Sequence, residues 1–148
     1  MYTFLMNMPP FQEVCLCGAL RRAARKATRL YDEMMAESGL NISQLSQLRN
    51  INQAGEITVS ELATKLELER TAMGRNLDVL EKRKLIRSVG AAEDARRRVV
   101  ALTAAGRKAL SEGLTAWEKA QVEMRKRLSR EGIGSLEAVV HFANAKGR

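Results

Sequence analysis

The sequence predicts a mostly α fold with one small β-hairpin, on three observations. Aromatic residues make up only 4% of the 148 positions, while Ala, Leu, Arg and Glu are abundant, a composition that favours helix. Apolar residues recur at helical spacing through both ends of the chain. Only between Lys84 and Thr103 does the period change, to two short β-prone runs around a basic loop.

The first helix is expected from about Phe11 to Glu37, with Val14, Leu16, Leu20, Ala27, Leu30, Tyr31 and Met34 on its apolar positions. Gly39 offers a stop, and Asn41 a cap for a second helix through about Ile51. That helix presents Ile42, Leu45, Leu48 and Ile51 as one stripe, and a polar turn, Asn52 to Gly55, follows. Thr58-Val59-Ser60-Glu61 reads as a capping box that starts a short third helix carrying Leu62, Ala63 and Leu66. After a break near Glu67 to Glu69, a fourth helix is expected from about Arg70 to Lys84. Two short helices joined by a tight turn have the outline of a helix-turn-helix. The strands follow at Leu85–Val89 and Arg98–Leu102. Thr103 caps a long helix with Leu110, Leu114, Trp117, Gln121, Met124 and Leu128 in its stripe. Gly132 and Gly134 are expected to break it before a last helix with Leu136, Val139 and Val140.

Length and composition describe one globular domain, with 45% hydrophobic and 28% charged residues. No apolar run reaches the roughly 18 residues of a membrane span, and the N-terminus lacks the basic and apolar regions of a secretory signal. Cys15 and Cys17 cannot make a disulfide framework, so the chain reads as cytoplasmic with no membrane partner. The net charge is +8, spread as +1 over residues 1–56, +3 over 57–102 and +4 over 103–148. That excess favours an anionic partner. An enzyme is excluded on chemistry: one histidine, no paired His/Cys metal-ligand spacing, no Gly-rich phosphate loop and no nucleophile elbow. No metal or cofactor is expected.

The fourth helix carries the sharpest functional pattern. Around a helical wheel, Met73, Leu77 and Leu80 fall within about 60° of one another, which makes one buried stripe. Thr71, Gly74, Arg75, Asp78 and Lys82 cluster on the opposite face. Gly74 costs about 1 kcal/mol against Ala inside a helix, which suits close approach of a partner's backbone. Arg75 can fork onto a guanine or hold a phosphate, and Thr71 can touch a phosphate or a thymine methyl. Arg70 stands at the helix start, where free amides and the dipole favour phosphate. Asp78 on the same face repels phosphate and confines the reading to the first two turns. A solvated amphipathic helix has the same spacing. In the loop, Arg96, Arg97 and Arg98 follow Glu93 and Asp94. An arginine on a thin hairpin suits a narrow minor groove, with Asp94 orienting Arg96. Strand alternation keeps all three from facing one partner, and a charge-compensated exposed turn accounts for the same residues.

These stretches together resemble a known family. Thr58-Val59-Ser60-Glu61-Leu62-Ala63, Glu69 through Leu77, Leu80 through Ile86, Asp94-x-Arg96 and Leu102-Thr103-x-x-Gly106 match, in order and spacing, the winged helix-turn-helix of the MarR family of bacterial transcriptional regulators. The likeness is densest over residues 41–110. It departs from the family at Lys84, where glycine is usual, and at Gly74, where a hydroxyl residue is common. The resemblance implies a homodimer, most often a repressor, on a pseudo-palindromic operator in double-stranded DNA. Helix 70–84 would lie in a major groove and the wing, 86–101, in a flanking minor groove entered by Arg96. Residues 1–40 and 107–148 would form the helical dimerisation region and 41–106 the DNA-binding lobe of a single domain. The apolar stripes of the terminal helices suit a two-fold dimer, although those helices can also pack on each other within one chain. A winged-helix module that binds protein and not DNA is the rival reading.

The resemblance also suggests how binding is switched. Many family members respond to small aromatic or phenolic ligands held between the dimer helices and the DNA-binding lobe. Trp117 and Arg25 are the residue types that stack on and pair with an aromatic carboxylate, although Trp117 also suits packing. Other members sense peroxide through a cysteine, and Cys17 stands about where the organic-peroxide-sensing branch has its reactive thiol. The tyrosines that branch uses are not matched, since Leu20 and Arg21 stand one turn later. On one helix Cys15 and Cys17 point about 200° apart, which denies them a mutual disulfide. Both also suit plain core filling. His141 reads as a surface or interface residue.

Overall fold

The computed structural model describes residues 15–90 and 97–144. Helix α1 spans Leu16–Met35 and tightens into a 3-10 turn over Ala36–Ser38. Helix α2 (Ile42–Ala54) starts from Asn41. The Asn41 Oδ1 accepts the Gln44 amide at 2.8 Å while Gln44 Oε1 accepts the Asn41 amide at 3.2 Å, so two orphan donors are satisfied reciprocally. Strand β1 (Glu56–Thr58) leads into α3 (Val59–Lys65), then α4 (Arg70–Lys82). Strands β2 (Ile86–Val89) and β3 (Val99–Leu102) form the base of the wing, followed by α5 (Ala104–Arg127) and α6 (Arg130–Asn144). The expected capping box at Thr58 is present. Its Oγ1 accepts the Glu61 amide at 3.1 Å, and Glu61 accepts the Thr58 amide at 2.9 Å.

The three strands form an antiparallel sheet in the order β1-β3-β2. Val100 at its centre faces Ile57 on one side and Ser88 on the other. The core gathers where α2, α3 and α4 meet this sheet. Leu48, Ile51, Leu62, Met73, Leu77, Leu80 and Val100 are all fully buried. Helix α1 packs along α5, and α5 also crosses α2, so the long helix carries the lobe.

Four expectations change. Strand β1 is not among the expected strands, because three residues are too few to display a period of two. Helix α4 ends at Lys82, not Lys84, because Lys84 adopts φ 58, a left-handed conformation that closes the turn into β2. The break between the last two helices falls at Leu128, whose ψ of 122 is extended, and not at the glycines. Ser129 sets the new start by accepting the Gly132 amide on its Oγ at 3.1 Å, so Gly132 and Gly134 lie inside α6. The first helix is described from Leu16, with Cys15 as its N-cap. Phe11 to Val14 lie outside the described residues.

Candidate nucleic-acid interface

Helix α4 is anchored by its buried stripe, since Met73, Leu77 and Leu80 are all 0% exposed. The opposite face is therefore fixed in direction, and the helix-wheel reading holds residue by residue. Arg70, Thr71, Arg75, Asp78 and Lys82 are exposed. At Gly74 a Cβ would meet nothing within 4 Å, so packing inside the chain does not require glycine there. The helix is also hydrogen-bonded at both of its ends. At the C-terminal end the Arg83 Nη2 donates to the Gly39 carbonyl at 2.8 Å, tying the end of α4 to the turn that precedes α2.

The N-terminal end corrects one expectation. Glu69 is the N-cap, and its carboxylate accepts the Ala72 amide at 3.0 Å. Hydrogen bonds from the backbone of Thr71 and of Ala72 hold the Glu69 carboxyl below its usual range, with a smaller contribution from Arg75. Two of the helix-start amides expected to favour a phosphate, those of Thr71 and Ala72, are thus already bonded to a carboxylate. Arg70 offers only its own exposed guanidinium.

Arg98, expected among the DNA contacts, is drawn into the protein instead. Its Nη1 lies 2.6 Å from Asp78 Oδ1 and its Nη2 2.6 Å from Glu81 Oε2, with the side chain 17% exposed. Two carboxylates on α4 hold both arms of the fork, which leaves little of the guanidinium for a partner. Arg97 remains exposed. Asp94 and Arg96 lie outside the described residues.

The region between α2 and α5 contains a cleft of about 400 Å³ lined by Ile42, Leu45, Ser46, Arg49, Asn50, Gln53 and Trp117. The Arg49 guanidinium carbon stands 5.9 Å from the Trp117 ring centroid, at the outer edge of cation–π contact. Arg25, expected with Trp117 at a site for an aromatic carboxylate, is exposed on α1 and does not line this cleft. Because α2 crosses α5 on the Trp117 side, the basic residue delivered there is Arg49. The sequence signal for it was weak: one basic position on a helix whose other face is apolar.

Cys15 and Cys17 are both exposed, so neither fills the core of this chain. Cys15 is not within the helix but caps it, its Sγ accepting the Gly18 amide at 3.4 Å. His141 is exposed on α6. No helix among the described residues is long and apolar enough to cross a membrane.

The MarR family model matches residues 38–97. The transcriptional regulator MOSR of M. tuberculosis, solved in complex with DNA, is 34% identical and superposes with a TM-score of 0.72, over 88% of this chain and 98% of that one. The chain belongs to the MarR family. A MarR-family protein is a transcriptional regulator, not an enzyme. More distant likenesses share the fold. A mutant of MarR from E. coli complexed with operator DNA is 24% identical with a TM-score of 0.77, covering 92% of this chain and 99% of that one. A probable transcriptional regulator from Pseudomonas aeruginosa is 23% identical with a TM-score of 0.75, covering 87% and 96%. No protein of curated function matches the chain by sequence.

One stretch that carries the resemblance and one departure from it meet at the turn before β2. Thr103 Oγ1 donates to the Lys84 carbonyl at 2.6 Å and accepts the Gly106 amide at 3.0 Å, so the Leu-Thr-x-x-Gly stretch locks α5 onto the turn before β2. Lys84, where the family usually has glycine, keeps the left-handed turn despite its side chain.

Proposed function

We propose that this MarR-family chain is a cytoplasmic, homodimeric, sequence-specific DNA-binding repressor of a pseudo-palindromic operator. Helix α4 reads a major groove through Thr71, Gly74 and Arg75, flanked by Arg70. The wing lies along the adjacent minor groove, with Arg96 and Arg97 as its basic contacts and Asp94 orienting Arg96. The observation that carries this reading is the division of α4 into a fully buried stripe and a face of exposed donors around an unfilled glycine. The DNA complex of the 34% identical MOSR supports it. Dimerisation is supported by apolar side chains left exposed near the chain ends: Leu16 and Leu20 on α1, Val122 on α5, and Leu136 and Val140 on α6.

The test is titration of a fluorescent duplex, selected by the protein from a randomised pool, at two salt concentrations. Phosphate contacts predict a log–log slope of about −0.9 per phosphate neutralised. Absent or salt-insensitive binding contradicts the reading and favours a winged-helix module that binds protein.

We infer that the cleft at Trp117 is the effector site. A guanidinium near an indole, in a cleft that polar Asn50 and Gln53 and apolar Ile42 and Leu45 also line, suits a planar aromatic or phenolic acid. Such a ligand lodged between α2 and α5 shifts the lobe against the long helix and releases DNA.

A second reading is favoured by the exposure of both thiols: peroxide oxidises Cys17 and DNA is released. Peroxide-induced release should then vanish in Cys17→Ser, and a mutant that still lets go on oxidation contradicts it.

A further inference from the structure

An acidic pair on a helix offered to DNA is a liability, because Asp78 shares the outward face of α4 with Thr71 and Arg75, and Glu81 follows one turn later. Both carboxylates are met by one residue. Arg98 stands just before β3 and reaches α4 with both arms of its guanidinium, at 2.6 Å to each acid. Charge-assisted bonds of this length are the strong class. Glu81 also accepts the Ser88 amide at 2.9 Å and the Ser88 hydroxyl at 2.8 Å, which brings β2 into the same cluster. The Arg98 carbonyl in turn accepts the Val59 amide at 3.0 Å, at the start of α3. The Arg98 Nε also donates to the Ser88 hydroxyl oxygen at 3.4 Å, so one residue joins both strands of the wing to the helix that carries Arg75.

We infer that Arg98 is a positioning residue: it cancels much of the negative charge of Asp78 and Glu81 and clamps the wing to α4 at a fixed angle, without itself touching DNA. This rests on the DNA-binding reading above. Its physical content is a coupling. Loss of Arg98 exposes two uncompensated carboxylates towards the phosphates and frees the strand base, so the damage runs through Asp78 and Glu81. An arginine that held a phosphate and touched neither acid would act independently of them, and its effect would add to theirs.

The experiment is a mutant cycle on the full chain with the selected duplex. It uses wild type, Arg98→Ala, the Asp78→Asn/Glu81→Gln pair, and the triple variant. Amide hydrogen exchange of the DNA-free proteins over residues 86–89 and 99–102 accompanies it. Arg98→Ala is expected to weaken binding about tenfold or more. Neutralising the two acids should recover much of that loss in the Arg98→Ala background, yet give no such gain in wild type. Exchange in both strands should rise in Arg98→Ala and stay raised in the triple variant, because the clamp is absent from both. Equal effects of acid neutralisation in the two backgrounds overturn the inference, and so does strand exchange unchanged by Arg98→Ala. If wild type binds no duplex, the regulator reading fails, while the exchange measurement still decides the clamp.

Discussion

Gly106 on α5 presses against the backbone of Leu85. A Cβ at that glycine would overlap the Leu85 carbonyl oxygen and stand 2.9 Å from its carbon. Neither atom belongs to a side chain that can turn away. Gly106→Ala must push the long helix off the turn before β2, and it should destabilise the fold by about 3 kcal/mol, the upper range for overpacking. Gly74→Ala is the contrasting case, because nothing occupies the space its methyl would take. It should stabilise the free protein by up to about 1 kcal/mol and weaken operator binding if DNA approaches the backbone there. Urea midpoints for both variants, with a DNA titration of the second, check the pair.

Lys84 holds φ 58, and its amide donates to the Glu81 carbonyl at 2.8 Å. A left-handed conformation costs an ordinary L residue about 1–2 kcal/mol. Lys84→Gly should therefore raise the unfolding free energy by about 1 kcal/mol, reduced by the extra freedom glycine has in the unfolded chain. Chemical denaturation reads this directly, and a loss of stability contradicts the strained-turn account.

Glu69 makes stability depend on pH. Bonds from the Thr71 and Ala72 backbone depress its folded carboxyl below the ordinary value of 4.5. A depressed acid stabilises the fold above its unfolded pKa and loses that contribution as pH falls through the folded value. Glu69→Gln should thus lower the urea midpoint at neutral pH, and the gap to wild type should close as pH drops below about 4.5. The same sign applies to Glu61, depressed first by its bond from the Thr58 backbone. A gap that widens in acid would contradict the capping role.

Trp117 is the only tryptophan in the chain, so its fluorescence reports the cleft. Titrating 4-hydroxybenzoate into the protein should quench it and release bound duplex over the same concentration range. Arg49→Ala removes a charged partner of the carboxylate, and such bonds are worth about 1.5–3 kcal/mol. The midpoint should move at least about tenfold higher. Arg25→Ala should leave it unchanged.

Much of this was legible in the sequence because helices advertise themselves. The α4 stripe of Met73, Leu77 and Leu80 repeats at a helical period, and all three are fully buried. The Thr58 box and the Thr103 cap follow from residue types at fixed offsets. Features with no period were lost: β1 is three residues long, and the break at Leu128 depends on a serine cap outweighed on paper by two glycines. The site showed the same divide. The outward direction of Arg75 was local, set by its own helix, and could be read. Arg98 bonding to Asp78 across 20 positions, and Arg49 meeting Trp117 across 68, are tertiary pairings. The sequence offered the charges there and not their partners.

The central question is whether the outward face of α4 distinguishes bases. The direct measurement is selection from a randomised duplex pool with wild type and with Arg75→Ala, followed by affinity titration of the enriched sequences. The expected result is a two-fold symmetric wild-type preference, relaxed at one position in each half-site by the mutation, with a loss of about 1–3 kcal/mol. An unchanged preference and unchanged affinity in Arg75→Ala would contradict it.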